Sequence, residues 1–185
     1  LYRLSGRYKD ACLPKVSIID LRTELKEGNR SIFSRKLREA LGERLQKRQQ
    51  AMLFINRRGL SGSVSCRSCG EAILCPHCDV TLSLHNDGSL KCHYCGYETH
   101  MPKTCPSCGS KYISGFRAGT QQIEREVVKI FPKARVLRMD YDTTRTKESY
   151  EQILTAFGKG EADVLVGTQM IVKGHDFPAV TLVGI

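Results

Sequence analysis

Several absences narrow this chain before any motif does. No apolar run approaches the roughly 18 residues that a membrane-spanning helix needs; the longest apolar stretches are strand-like. No secretory leader pattern opens the sequence, which argues against oxidised cystines as the fate of its cysteines. The phosphate-binding pattern G-x-x-x-x-G-K-[ST] is missing as well. The nearest approach, Gly115-Phe116-Arg117-Ala118-Gly119-Thr120, is too short and lacks the lysine, so the chain alone is not expected to hold a triphosphate with Mg2+. There is no opening methionine, and VTLVGI carries a strand pattern to the last residue, so both ends read as cuts in a longer protein.

Cysteine is scarce except in one stretch. Eight of the nine form C-x-x-C pairs: Cys66/Cys69, Cys75/Cys78, Cys92/Cys95 and Cys105/Cys108. Two thiolates at that spacing turn toward one cation, and four such pairs supply two tetrahedral sets, as for two Zn2+ ions. Glycine follows three of the pairs (Gly70, Gly96, Gly109), where positive φ lets the backbone fold back over the sulfur. Asp79 occupies that place in the remaining pair and tolerates the conformation less well.

Four pairs allow three ways of sharing two ions. Between Cys78 and Cys92, TLSLHNDGSLKC (81–92) reads as two short strands joined at Asn86-Asp87-Gly88, and a hairpin returns its ends to one place. A nested arrangement is therefore expected: Cys75, Cys78, Cys92 and Cys95 inside, with Cys66, Cys69, Cys105 and Cys108 at the neck. An iron–sulfur centre would take the same four thiolates, and metal analysis separates the two. Filled tetrahedra leave His77, His85, His93 and His100 as surface groups or neighbours of the ligands. They also leave no free dithiol for an oxidoreductase. Cys12 is read as a small apolar residue.

The net charge of +10 is unevenly placed. Residues 1–60 carry 15 Lys and Arg against 6 Asp and Glu, whereas residues 61–110 carry 3 against 4. Eight thiolates and two Zn2+ would lower the total to about +6 and the middle segment to about −5. Phosphate attraction thus belongs to the flanking sequence, and the metal module reads as a docking or strand-contacting element.

Outside the cysteines, strand and helix patterns alternate. VSIID (16–20) and AMLFI (51–55) read as strands. Between them, residues 31–50 place Phe33, Leu37, Ala40, Leu41 and Leu45 on one helical face. Gly119-Thr120 opens a helix with Ile123, Val127, Ile130 and Phe131 inward. A strand at 136–140 follows, then a helix through Tyr150, Ile153, Leu154 and Phe157 stopped at Gly158 or Gly160, then strands at 163–168 and in VTLVGI. The expected fold is α/β, a mostly parallel sheet covered on both faces.

Ligands of such sheets collect beyond the carboxyl ends of the strands. Three loops there carry Asn56-Arg57-Arg58-Gly59, Tyr141-Asp142-Thr143-Thr144-Arg145 and the run from Gln169 to Asp176. Guanidinium forks and hydroxyls suit phosphate, and Gly174 permits close backbone approach. His175 is expected as an exposed neighbour of Asp176 rather than an acid or base.

VLRMDYDTTR, followed by AFGKGEADVLVGTQMIVKGHDFPAV, resembles the second RecA-like lobe of superfamily 2 helicases, with VLVGTQMIVKGHDF resembling their motif V. With the eight-cysteine insertion behind FINRRGLSGSV, the resemblance narrows to the replication-restart helicases of bacteria. It implies a cytoplasmic, nucleoid-associated, ATP-dependent 3′ to 5′ DNA helicase that recognises stalled or branched forks and starts primosome assembly. Implied partners are branched and single-stranded DNA, primosome and helicase-loader proteins, and single-stranded-DNA-binding protein. By the same resemblance Thr168 touches the DNA backbone, Lys173 lies near the strand or the interlobe cleft, Arg57 and Arg58 serve a DNA-phosphate or interdomain role, and Thr143 serves DNA contact. Gly174 and Asp176 face nucleotide, and zinc pairing is nested. The layout implied is an interlobe segment (1–15), a lobe divided into 16–65 and 109–185, and a zinc module (66–108) between. The ATP- and Mg2+-binding lobe would precede residue 1 and motif VI would follow residue 185, leaving this piece inactive alone. The competing class is a zinc-ribbon adaptor, binding nucleic acid or protein, on a non-helicase α/β domain.

Overall fold

A computed structural model of the chain describes residues 13–55, 62–85, 87–115, 119–168 and 176–185, leaving aside the side chains of Ser114 and Gly115. Along the chain come α1 (Leu21–Lys26), α2 (Arg35–Gln46) and β1 (Gln50–Phe54). The cysteine region holds β2 (Val64–Cys66), β3 (Ser83–Leu84), β4 (Ser89–Lys91), β5 (Glu98–His100) and β6 (Ile113–Gly115). Then follow α3 (Thr120–Ile130), β7 (Val136–Met139), α4 (Lys147–Gly158), β8 (Val164–Gly167) and β9 (Val180–Gly184).

The four apolar strands outside the cysteines form one sheet in the order β7-β8-β1-β9, parallel at every pairing. Strand alternation sends its side chains to two layers. Ala51, Leu53, Val164 and Val166 meet Phe33 and Leu41 from the α2 side and Ile123 and Val127 from α3. On the opposite face Leu165 and Met139, with Met52 and Leu137, meet Leu154 and Phe157 of α4. Central β8 is buried at all four positions. Each large apolar side chain so buried stabilises the fold by about 1.5–3 kcal/mol.

Polar side chains set where the helices begin and end. Ser34 accepts from the Leu37 amide at 3.1 Å and starts α2 at Arg35, four residues later than the apolar pattern alone implies, with Ile32 and Phe33 packing ahead of it. Thr146 and Ser149 form a capping box for α4, which stops at Gly158; two residues on, Gly160 takes φ +75° and turns the chain toward β8. The buried Gln50 amide donates to Phe157 O at 2.7 Å and Ala162 O at 2.8 Å, tying the end of α4 to the start of β1.

VSIID is not a strand. Val16 and Ile18 are 79% and 94% exposed, and this extended segment pairs with no strand among the described residues. Asp20 instead accepts from the Arg22 amide at 2.8 Å and caps α1. The β-branched alternation reflects extended backbone, but a ladder needs a neighbour, and the sheet continues from β1 to β8 and β9 instead.

The cysteine region emerges beyond the end of β1. β2 and β6 pair antiparallel at its neck, and β3, β4 and β5 form a three-stranded antiparallel sheet within it. The expected turn joins β3 to β4, with Gly88 at φ +84°. A small core of Val64, Leu82 and Leu90 includes Cys75 and Cys92. No helix among the described residues is long and apolar enough to cross a membrane.

Candidate metal centres and sheet edge

All four C-x-x-C pairs repeat one hydrogen-bonded frame. The first cysteine donates its amide to the carbonyl five residues on: Cys66 to Glu71, Cys75 to Val80, Cys92 to Tyr97 and Cys105 to Ser110, each at 2.8 Å. Its carbonyl accepts from the residue after the second cysteine: Gly70 and Gly109 at 2.8 Å, Asp79 and Gly96 at 3.0 Å. Those four residues all take positive φ, Asp79 at 52° included. Each frame points small-loop amides at sulfur, as from Ser68 to Cys66 at 3.4 Å and His77 to Cys75 at 3.5 Å.

Nesting brings the frames together in two sets. Cys66, Cys69, Cys105 and Cys108 converge, as do Cys75, Cys78, Cys92 and Cys95, with all sulfurs of a set within 4.8 Å of one another. Contacts between frames are 3.7 Å (Cys66 to Cys108), 3.8 Å (Cys69 to Cys105) and 3.6 Å (Cys75 to Cys95). A tetrahedron with zinc–sulfur bonds of about 2.3 Å has edges of about 3.8 Å, whereas a disulfide needs about 2.05 Å. The eight cysteines are free thiols, and both sets are compatible with one zinc ion each.

Electrostatics within the sets favour a cation. Burial opposes ionisation of Cys66, but the Cys69 and Ser68 amides outweigh it and bring its pKa down to about 6. The Cys95 amide similarly brings Cys92 to about 7 against burial. The Cys95 and Cys92 sulfurs and burial push Cys78 up to about 12. For Cys108 the Ser110 amide favours the thiolate, yet burial and the surrounding sulfurs of Cys69, Cys66 and Cys105 raise it to about 12. Without a central positive charge the four sulfurs of a set cannot all ionise. A divalent metal removes that opposition and expels the remaining protons.

His77, His85, His93 and His100 lie outside both sets. His77 packs edge-on against Tyr97 with ring centroids 5.3 Å apart, and His85 lies 5.2 Å from His93. Tyr97 belongs to the small core, whereas Tyr94, next to Cys95, is 84% exposed.

The outer set is also fastened to the α1–α2 connection. Arg67 donates to the carbonyls of Arg30 and Ser31, each at 3.0 Å, and Arg30 lies 5.7 Å from the Tyr112 ring centroid. Ser68 and Ser110 join the two outer frames hydroxyl to hydroxyl at 2.7 Å. This docking is invisible in the cysteine spacing.

At the sheet, Gly167 pairs with both Phe54 and Met139, so β1, β8 and β7 end level and the chain leaves one edge three times. Thr168 sits there half-buried, its amide 3.4 Å from Met139 O, and Asp176 is exposed. Arg57, Arg58, Lys173, Gly174 and His175 lie outside the described residues, as does Cys12. The Thr143 hydroxyl faces inward. It accepts from the Asp140 amide at 2.9 Å and donates toward Asp140 O and Oδ1 at 3.1 and 3.2 Å.

Asp140 is the residue that sequence reasoning passed over. It is 8% exposed, and Oδ1 accepts the Asp142 and Thr143 amides, each at 3.0 Å. Oδ2 accepts from the Thr120 hydroxyl and forms an ion pair with Arg138 Nε at 2.9 Å. Burial opposes its charge, but Thr120, the Thr143 amide and Arg138 hold the carboxyl below the usual range. The only sequence cue was an aspartate closing an apolar strand before an Asp-Thr-Thr turn.

A parallel α/β sheet with a doubly tetrathiol insertion at its carboxyl edge defines the class: an α/β domain bearing a zinc-ribbon module. Residues 75–99 match the family model described as the PriA DNA helicase Cys-rich region (CRR) domain. The chain is 53% identical over its whole length to replication restart protein PriA of Bacillus subtilis (strain 168), covering 23% of that protein. Against PriA of Synechocystis sp. the figures are 51% identity, 98% of this chain and 22% of the relative. Against PriA of Chlamydia pneumoniae they are 41%, 98% and 25%. The chain belongs to the PriA family and spans about a quarter of the length of these relatives.

Proposed function

We propose that this segment is the second RecA-like lobe, with its zinc insertion, of an ATP-dependent 3′ to 5′ DNA helicase that recognises stalled or branched forks and starts primosome assembly. The observation that carries the reading is the common edge: β1, β7 and β8 end level at Gly167, and the metal module leaves the sheet at that edge. A strand held along the edge therefore meets loop and module together. Residues 16–65 and 109–185 make up the lobe, 66–108 the module and 1–15 the link to the preceding lobe.

The two four-cysteine sets each hold one zinc, and the ion's role is structural, replacing a large core in a region too small to bury one. Thr168, Arg57, Arg58 and Lys173 contact the DNA backbone. Thr143 shapes the adjoining loop, and Gly174 and Asp176 face nucleotide across the cleft. ATP and Mg2+ are held mainly by the other lobe, since this chain has no phosphate-binding loop of its own. Closure on ATP grips one strand, and release after hydrolysis lets the edge regrip farther along. Exposed Tyr94 gives the module a face for a base at the separating duplex or for a primosome, loader or single-stranded-DNA-binding protein. The setting is the bacterial cytoplasm.

Full-length protein carrying Thr168→Ala tests the reading. Retained folding and zinc with lost unwinding supports a helicase lobe. Unchanged unwinding removes Thr168 from the motor, and absence of unwinding by the unsubstituted protein favours the adaptor class.

A further inference from the structure

We infer that Asp140 is the positioning residue that ties the start of α3 to the strand-gripping loop and so sets how that loop meets DNA. This rests on the helicase-lobe reading above. α3 begins at Thr120, five residues after β6 ends at Gly115. The Thr120 hydroxyl donates to Asp140 Oδ2. The other oxygen of the same carboxylate accepts the amides of Asp142 and Thr143, both at 3.0 Å. One buried group therefore faces the start of α3 with one oxygen and the 140–145 loop with the other.

Neighbouring groups brace it. Arg138 pairs with Oδ2 at 2.9 Å and with Glu124 of α3 at 3.3 Å, tying β7 to α3 beside the same carboxylate. The Asp140 carbonyl accepts from the Thr144 amide at 3.0 Å and the Thr144 hydroxyl at 2.5 Å, closing the turn. The loop's inward hydroxyls are spent on Asp140, which leaves Tyr141, 82% exposed, and Arg145, exposed and 3.8 Å from the exposed Asp142 carboxylate, at the edge where Thr168 lies. An outward ring and guanidinium fit stacking on a base and contact with phosphate. Their placement depends on a turn in which, once the Asp140 carboxylate is gone, the Asp142 amide loses its acceptor and the Thr143 amide keeps only the Asp140 carbonyl at 3.2 Å.

The test uses the full-length protein with Asp140→Ala, Asp140→Asn and Thr168→Ala, measuring single-stranded-DNA-stimulated ATP hydrolysis. Removing a buried charged acceptor of several hydrogen bonds should raise the DNA concentration for half-maximal stimulation roughly tenfold. Maximal turnover should stay within about twofold, since no reacting atom is touched. Asp140→Asn keeps one acceptor oxygen for the two amides and should recover most of the loss. Two zinc ions should remain in every variant. Unshifted half-saturation in Asp140→Ala beside an impaired Thr168→Ala overturns the positioning role alone, while absence of DNA-stimulated hydrolysis in the unsubstituted protein overturns the lobe reading. Equal loss in Asp140→Ala and Asp140→Asn, with turnover falling in step, also overturns it, as the signature of general destabilisation. Should Asp140→Ala fail to fold, Thr120→Val removes only the link to α3. It should still raise half-saturation, and an unchanged value overturns the inference.

Discussion

Cys66 and Cys108 hold their sulfurs 3.7 Å apart across 42 residues of chain, the edge length of a zinc tetrathiolate and nearly twice a disulfide. That closure makes the neck depend on metal, while the inner set closes over the shorter hairpin. The two sites should therefore be separable. Native protein should contain about two zinc ions per chain, and Cys75→Ser or Cys66→Ser about one each. Loss of the inner ion should leave the β2–β6 neck protected from hydrogen exchange; loss of the outer ion should expose it. Metal analysis with exchange across 62–66 and 113–115 decides, and iron in place of zinc would reassign the centre.

Arg67 is expected to carry the mechanical link between that neck and the main sheet. Its two donors reach the carbonyls of Arg30 and Ser31 without touching sulfur. Arg67→Ala should cost about 1–2 kcal/mol, at the lower end for charged hydrogen bonds that water partly replaces. Lysine, with one compact donor group, should recover less than half. Zinc content should stay at two while amides near residues 30–33 exchange faster. A fall in zinc instead would make Arg67 part of the metal site's own support.

How much of this was legible in the sequence follows from what each signal encodes. The cysteine spacing and the Asp87-Gly88 turn are local, and the nested sets follow from chain length between them. The helices around Leu41, Val127 and Phe157 were legible because burial imprints a 3.6-residue period. VSIID misled because β-branched alternation reports extended backbone, and only a partner strand turns that into a sheet. Asp140 and Arg67 were illegible for a different reason. Their partners lie 20 and 36–37 residues away in sequence, and a lone acid or arginine carries no mark of a distant carbonyl or hydroxyl.

Acid sensitivity of the sheet should trace in part to Asp163. Its carboxylate takes Arg135 Nη2 at 2.6 Å and the Arg135 amide at 2.9 Å, and hydrogen bonding to Arg135, against burial, holds its pKa below the ordinary value. A carboxyl depressed in the folded state contributes stability above the unfolded pKa of about 4, lost as pH falls through the lower folded value. Asp163→Asn should lose about 0.5–1 kcal/mol at pH 7. Below pH 4 its curve should converge on that of the unsubstituted protein. Denaturant titrations of both proteins at several pH values, compared as a difference, cancel the acid loss of zinc common to both. A gap that stays constant into acid would remove Asp163 from the pH response.

Asp79 offers the sharpest check on the knuckle geometry. At φ 52° it does what glycine does in the other three frames, with its amide 3.0 Å from Cys75 O. A side chain in the left-handed region costs about 1–2 kcal/mol for most residues and less for aspartate. Glycine escapes the cost but brings a more flexible unfolded chain. Asp79→Gly should therefore change stability by less than about 1 kcal/mol, in the stabilising direction. Asp79→Val, β-branched, should lose about 2 kcal/mol and release the inner zinc to a chelator faster while the outer ion stays. Chelator kinetics with two resolved phases read this directly. If valine slowed or left unchanged the faster phase, the backbone turn would not be what holds Cys75 and Cys78 in place.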